Sequence, residues 1–152
     1  MKQRFITLSI ILLSCCMAIA AQTKIYRGNS TFSSDCLYTW DGKHLYRGNS
    51  TFNSDIIYTW DGRYLYKGNS TFSSDIIVTW DGQFLYKGHS SFSSDIIYTF
   101  DGKYIYYGKS NYTSDTLATW SNSRLYSGYS EYTSDILYRV VGQFPPILFV
   151  ML

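Results

Sequence analysis

Carboxylates are the side chains that would carry acid–base chemistry, and in this chain they follow a repeat. One aspartate of a unit precedes glycine, as in Asp61-Gly62, and another follows serine, as in Ser54-Asp55. Glu131 is the only glutamate. General acid–base catalysis requires a group whose environment sets it apart from its neighbours, and no carboxylate stands out in this way. We therefore predict no catalytic residue and no enzyme.

Histidines and the Ser-Asp pairs are the remaining candidates for ligand or metal chemistry. His44 and His89 stand at different repeat positions, so we interpret both as solvated side chains. The six Ser-Asp pairs, of which Ser54-Asp55 is one, offer carboxylate oxygens at equal intervals, as a calcium-binding rim would. Hydrogen bonds to nearby backbone groups explain the same aspartates without an ion. We predict no metal and no cofactor.

An aromatic residue beside each turn is the best candidate for binding. The series consists of Trp40, Trp60, Trp80, Phe100 and Trp120. Aromatic faces suit sugars, quaternary amines and lipid headgroups. These five residues are therefore predicted to form a ligand-binding rim if they are exposed. The alternative is that they pack hairpin against hairpin.

The aromatic and acidic positions recur because the chain repeats itself every 20 residues. In one unit, residues 56–60 are β-branched and aromatic, Asp61-Gly62 is a turn signal, and residues 63–67 run back. Asp-Gly between two such runs indicates a β-hairpin. A two-residue turn, with positive φ at both residues, would place Trp60 opposite Arg63. No stretch has helical spacing, so the fold class is predicted to be all-β.

The two ends of the array predict how the hairpins are arranged. Residues 24–28 resemble a second strand without its first, and residues 135–140 a first strand whose partner is interrupted by Pro145 and Pro146. Pairing these two halves would give six 20-residue β-hairpin repeats closed into a shallow symmetric barrel. Closure would remove exposed sheet edges. An open β-hairpin solenoid is the alternative.

Three segments are predicted along the chain: residues 1–20 are a signal peptide, 21–142 the repeat domain and 143–152 an apolar tail. The first segment has basic residues, a short apolar run and Ala18-Ile19-Ala20, the features of a secretory signal cleaved after Ala20. The tail, with the sequence FPPILFVML after Gln143, is expected to fill the centre of the ring. Docking beneath the ring and binding a partner are its alternatives.

A second interpretation of the N-terminal segment rests on Cys15. Leu12-Leu13-Ser14-Cys15 resembles a bacterial lipobox, in which the cysteine is acylated and becomes the first residue of the mature chain. The protein is thus predicted to be secreted, periplasmic or on the cell surface, or else anchored to the envelope through Cys15. Stable anchoring takes more than one acyl chain.

Charge bears on the class of partner. The whole chain has thirteen Lys and Arg against eleven Asp and Glu, and loss of Lys2 and Arg4 with the signal leaves eleven of each. A net charge near zero gives no basic face for nucleic acid. Glycans and lipids remain as partners, with membrane contact expected only through a lipid anchor or the tail.

The layout of Tyr-x-Gly and Asp-Gly hairpin units after a signal peptide resembles the β-flower proteins, and the resemblance covers residues 24–140. That group in turn resembles the Tubby and phospholipid-scramblase barrels, whose twelve strands surround an apolar C-terminal helix. The resemblance implies a shallow barrel of hairpins and hints at membrane-proximal or lipid-related roles, with no established activity. Choline-binding and MORN repeats are similar to a lesser degree.

Two functional hypotheses follow. The first is an exported, non-enzymatic binding module of the cell envelope that holds a glycan or small ligand at the aromatic rim. The second is a structural or lipid-facing protein without a small-molecule ligand, whose contact comes from the tail or an acylated Cys15. Solvent exposure of the Trp series discriminates between them.

Overall fold

The computed structural model describes residues 22–152, so the predicted signal peptide and Cys15 lie outside the described residues. The described chain forms twelve antiparallel strands in one closed barrel. The strands are β1 (Thr23–Arg27), β2 (Cys36–Trp40), β3 (His44–Arg47), β4 (Ile56–Trp60), β5 (Tyr64–Lys67), β6 (Ile76–Trp80), β7 (Phe84–Lys87), β8 (Ile96–Phe100), β9 (Tyr104–Tyr107), β10 (Thr116–Ser121), β11 (Arg124–Ser127) and β12 (Ile136–Val141). Within residues 22–152 no helix has the length and apolar character needed to cross a bilayer.

The barrel is closed by its first and last strands. β1 pairs with β2 on one side and with β12 on the other, and Ile25 lies opposite both Tyr38 and Val140. Five hairpins and one composite hairpin, made of β12 and β1, complete the ring. The predicted closed barrel of six hairpins is confirmed, and the open solenoid is not what the chain forms.

The register of the hairpins differs from the prediction. Trp60 pairs with Leu65 rather than with Arg63, and Tyr58 pairs with Lys67. The cause is the Asp61 carboxylate, whose Oδ1 accepts hydrogen bonds from the backbone N–H groups of Arg63 (2.9 Å) and Tyr64 (2.7 Å). This Asx-type turn places Asp61 before the bend. Because the shift is two residues, Tyr58 and Trp60 keep their predicted face. A β-bulge between neighbouring hairpins places Ile56 opposite Tyr46, so Ile56 lies on the other face from the predicted one.

A turn with positive φ at both central residues does occur, but in another hairpin. Gly62 has a φ of 98°, whereas no Asp of an Asp-Gly pair is among the positive-φ residues. In the fifth hairpin Asn122 and Ser123 have φ values of 50° and 59°, and Ser121 pairs with Arg124. This hairpin has no Asp-Gly pair and adopts the two-residue turn that matches the strand twist.

The hairpin turns all lie at one end of the barrel, which we call the turn end. The loops that join each hairpin to the next lie at the other end, which we call the loop end. The loop after β5 starts at Gly68, whose φ of 60° favours glycine and whose N–H donates to the Ile57 carbonyl at 2.8 Å. The Thr59 hydroxyl, which lies on the outer face of the sheet, donates to the Gly68 carbonyl at 2.7 Å. A one-turn 3₁₀ segment, Ser73–Asp75, leads into β6.

The core lies inside the barrel and includes the tail. Ile25, Leu65, Leu85 and Ile105 from the second strands of four hairpins are at most 1% exposed. Pro146–Met151 forms a short 3₁₀ helix, and the buried tail side chains belong to the same hydrophobic cluster as the strand residues. These tail residues are Phe144, Ile147, Leu148 and Phe149. The tail therefore fills the centre of the ring, as expected.

Candidate functional site

The aromatic series predicted as a rim lies at the turn end, on the inner face of the barrel. Trp40 and Trp60 are 4% and 7% exposed, whereas Trp80, Phe100 and Trp120 are half-buried. All five pack against the hydrophobic core. They face inward because each stands directly opposite a core residue of the returning strand, as Trp60 does with Leu65.

The tail makes this aromatic end asymmetric. The Phe144 ring meets the Trp40 ring edge-on with centroids 5.4 Å apart, and Phe149 lies 5.4 Å from Trp120. Trp80 of the third hairpin and Phe100 of the fourth have no aromatic contact with the tail among the described residues. One side of the aromatic end is thus covered by the chain itself and the other side is more open.

Two grooves follow from this asymmetry. The first, which we call the tail groove, has a volume of about 710 Å³ and is lined by Trp40, Asp41, Trp60, Gln143 and Phe144, among others. The second, the open groove, has a volume of about 520 Å³ and lies between the turns of the third and fourth hairpins. The open groove is lined by Trp80, Gly82, Gln83, Phe100, Asp101 and Gly102.

The turn carboxylates beside these grooves are held in the ionised form. Partial burial raises the pKa of Asp41, but hydrogen bonds from the His44 and Lys43 backbone N–H groups, the Tyr46 hydroxyl and the His44 ring outweigh it and lower the pKa to about 2. Asp61, Asp81 and Asp101 have lowered pKa values for the same reason. Each groove therefore has a fixed negative charge at its edge.

The tyrosines that bond these carboxylates are buried in the outer layer of the sheet. The Tyr46 hydroxyl donates to Asp41 Oδ2 at 2.7 Å, and Tyr106 donates to Asp101 at 2.8 Å. Burial is the larger cause and the hydrogen bond to the carboxylate the smaller one, and together they raise the pKa of both tyrosines to about 12. The phenols therefore act as donors and tie each second strand to its turn.

The two histidines take part in different local contacts. His44 Nδ1 lies 3.0 Å from Asp41 Oδ2, and the exposed His89 packs its ring edge-on against Tyr64 at 5.1 Å. Between residues 22 and 152 no group of three or more His, Cys, Asp or Glu side chains is arranged to hold a metal ion. Cys36, at the start of β2, is a free thiol and half-buried.

The Ser-Asp aspartates organise the loops. In the first loop the Ser30 hydroxyl donates to Asp35 Oδ2 at 2.6 Å and accepts from the Phe32 N–H at 3.1 Å. The same serine–aspartate bond recurs in each of the other five loops. These contacts lie within single loops and give the carboxylates a structural role.

One surface feature was missed by the sequence analysis. An aromatic side chain between 72% and 77% exposed stands in the middle of every loop. The six residues are Phe32, Phe52, Phe72, Phe92, Tyr112 and Tyr132. The sequence contained a signal for this feature, since an aromatic residue recurs at a fixed position of each loop. A Ser/Asn-rich loop offers that residue no partner that would bury it.

A second missed feature is a contact between hairpins that joins residues 25 positions apart. Tyr104 stacks on Tyr129 at 4.8 Å, and Lys24 Nζ donates to Asn49 Oδ1 at 2.5 Å. Arg124 Nε makes the corresponding contact across the ring closure, to Asn29 Oδ1 at 2.9 Å. The chemistry of the pair varies between units, and Lys109 Nζ lies over the Phe84 ring at 5.8 Å in another of them. The available signal was that both positions vary in an otherwise regular repeat.

Comparison with known proteins identifies the architecture. A family model described as "6-fold beta flower protein" matches residues 25–151, which is most of the chain. A search of curated proteins returned no match, and neither did a search of solved structures. The matched region includes all twelve strands except the first two residues of β1, together with the tail up to Met151.

Proposed function

The chain belongs to the six-fold β-flower family, and we propose that it acts as an exported, non-enzymatic binding module that holds a glycan in the open groove of its turn end. The family match carries no statement of activity, so the proposal rests on the residues of the groove. Trp80 and Phe100 supply two half-buried aromatic walls, and the Gln83 amide and Asp101 carboxylate lie at the edge.

This combination of groups fits a sugar ring. The apolar C–H face of a pyranose packs on an aromatic ring, while an amide and a carboxylate hydrogen-bond its hydroxyl groups. Asp101, whose pKa is lowered by hydrogen bonds within its turn, is an ionised acceptor at neutral pH. The glycines flanking the groove, Gly82 and Gly102, have space for a ligand, since a Cβ at either would meet no heavy atom within 4 Å.

The open groove is a better candidate than the tail groove for a physical reason. In the tail groove Trp40 and Trp60 are less than 8% exposed, so most of their surface is already used in packing within the protein. A ligand that took the place of Phe144 against the Trp40 ring would first have to displace it. In the open groove a ligand needs no such rearrangement.

The experiment is a titration of the purified protein with soluble oligosaccharides, monitored by tryptophan fluorescence and iodide quenching. We expect binding to change the emission of Trp80 and to protect it from iodide. A Gln83→Ala variant should bind about fivefold to tenfold more weakly because it loses a hydrogen bond to the ligand. Phe72→Ala, in an exposed loop, is the matched control. Unchanged quenching with every saccharide would contradict the proposal.

Export is part of the same proposal. The basic, apolar and small-residue segments of residues 1–20 support secretion with cleavage after Ala20, and Cys15 supports the alternative of a lipid-anchored protein. Mass spectrometry of the mature N-terminus separates the two. A chain starting at Ala21 supports release, an acylated Cys15 supports anchoring, and an intact Met1 in the mature protein would contradict both.

The second candidate function, a structural or lipid-facing protein, is favoured by the six exposed loop aromatics. Phenylalanine and tyrosine at a surface partition into the interface of a bilayer. Contact through the tail would require its buried side chains to leave the core, so a lipid-facing role would use the loops or an acylated Cys15. Cosedimentation with neutral vesicles that is lost in a Phe52→Ser/Phe72→Ser variant would support this candidate over glycan binding.

A further inference from the structure

Four basic side chains stand at one repeat position at the loop end of the barrel. Each is the last residue of a second strand and each is exposed. The four are Arg27 of β1, Arg47 of β3, Lys67 of β5 and Lys87 of β7. In the two other hairpins the position is occupied by Tyr107 and Ser127. The positive charges therefore occupy one continuous arc of the ring.

The strand register places this arc on the inner side of the barrel mouth. Arg47 pairs with Tyr38, Lys67 with Tyr58 and Lys87 with Val78. Directly opposite residues of an antiparallel pair share a face, and Val78 is a core residue with 2% exposure. The Tyr107 ring, at the same position, lies 5.8 Å from the inward Tyr98 ring.

Within residues 22–152 no Asp or Glu side chain forms an ion pair with the arc. In the described part of the chain, the ion pairs within 4.0 Å are His44–Asp41 and Lys103–Glu131, and both lie elsewhere. The repeated acids of the loops each accept a hydrogen bond from a serine of their own loop. Among residues 22–152 the four basic groups also make no side-chain hydrogen bond, whereas Lys24 and Arg124 do.

The floor of the mouth is amphipathic. Arg47 lines a cavity of about 400 Å³ together with Tyr38 and Tyr58, the aliphatic side chains of Leu37 and Ile57, and the end of the tail at Met151 and Leu152. The Tyr58 hydroxyl donates only a long bond of 3.4 Å, to the Met151 carbonyl. Two tyrosines and one arginine thus line the same cavity.

We propose that the loop-end mouth is a binding site for a phosphate-bearing anion, separate from the glycan groove at the turn end. Alternate strands of a sheet lie about 10 Å apart, so neighbouring members of the arc converge on one phosphate group with their long side chains. Guanidinium and ammonium groups are the usual protein ligands of phosphate. An anion at the mouth also relieves the repulsion among four unpaired like charges.

The test uses two double variants that remove the same charge from opposite ends of the barrel. Arg47→Gln/Lys67→Gln alters the mouth, and Arg63→Gln/Lys43→Gln alters the turn end, each losing one Arg and one Lys. Binding of tripolyphosphate by the purified protein is measured by calorimetry at low ionic strength. We expect the mouth variant to bind about tenfold or more weakly and the turn variant to bind within about twofold of the parent.

A second arm identifies the source of the phosphate. Vesicles of phosphatidylcholine with and without phosphatidylglycerol are cosedimented with the three proteins. Binding of tripolyphosphate assigns a soluble ligand, and anionic-vesicle binding that the mouth variant alone loses assigns a lipid headgroup. The proposal is overturned if the parent binds neither probe, or if both double variants lose binding equally. Equal melting temperatures of the three proteins exclude unfolding as the cause.

Discussion

The Tyr46 hydroxyl donates to the Asp41 carboxylate across a hairpin, with 2.7 Å between the two oxygens. The pair connects the returning strand to the turn that precedes it. The same bond recurs in the next three hairpins, at 2.7–2.8 Å. In the fifth hairpin Ser121 stands where the others have aspartate, and the turn there takes a different conformation.

Removing one of these hydroxyls should destabilise the barrel. Tyr66→Phe leaves the ring packing in place but takes the donor from Asp61, and a hydrogen bond to a charged group contributes about 1.5–3 kcal/mol. We expect the free energy of unfolding to fall by about that amount in urea denaturation. Tyr126→Phe, in the hairpin without the aspartate, is the matched control. Equal losses in the two variants would show that the carboxylate contact contributes nothing.

Stability should also depend on pH at both extremes. The folded pKa of Asp41 is lowered from 3.8 to about 2, so its contribution is present above about pH 4 and is lost as the pH falls towards 2. The folded pKa of Tyr46 is raised from 10.0 to about 12, so its contribution is present below pH 10 and is lost between 10 and 12. Melting temperatures measured from pH 2 to pH 12 report both losses of stability. Asp41→Asn should reduce the loss of stability at low pH, and an unchanged loss would contradict this assignment.

Ring closure leaves no room for a side chain at Gly142. This glycine follows β12 with a φ of 120°, and a Cβ there would lie 2.9 Å from the Thr23 Cα of β1. At Gly68 a Cβ would meet nothing within 4 Å, so Gly68→Ala should lower the free energy of unfolding only through its positive φ, by about 1–2 kcal/mol. We expect Gly142→Ala to lower the free energy of unfolding clearly more than Gly68→Ala does. A smaller effect at Gly142 would argue against close packing of the two ends.

The tail should behave as part of the core. The Phe149 ring stacks on Tyr138 at 5.6 Å and contacts Phe144 at 4.9 Å. Truncating a buried phenylalanine costs about 3–5 kcal/mol, so Phe149→Ala should lower the melting temperature strongly. Phe72→Ala, at a position 73% exposed, should change it by little. Similar effects from the two variants would place Phe149 outside the core.

Much of the fold could be predicted from the sequence because the repeat contains its own boundary signals. Asp-Gly and Tyr-x-Gly divide each unit into two strands, and the unpaired strands at the two ends of the repeat region could pair with each other. The register was wrong because the Asp61 side chain competes with the backbone for the Arg63 and Tyr64 N–H groups. Short-range turn statistics do not include that competition.

The candidate site was harder to predict, because exposure depends on the closed ring. Trp40 and Trp80 stand at the same repeat position, yet Trp40 is buried and Trp80 is half-buried. The difference comes from the tail, which reaches Trp40 through Phe144. The tail is outside the repeat, so the periodic pattern holds no information on which hairpins it covers.

Both proposed sites depend on the closed barrel, and closure of the barrel can be measured directly in solution. Interstrand nuclear Overhauser effects between the backbone protons of Ile25 and Val140 report the β1–β12 pairing. We expect these signals, together with hydrogen-exchange protection of the two strands equal to that of β4 and β5. Absent cross-peaks with freely exchanging β1 and β12 amides would show an open array and contradict the account.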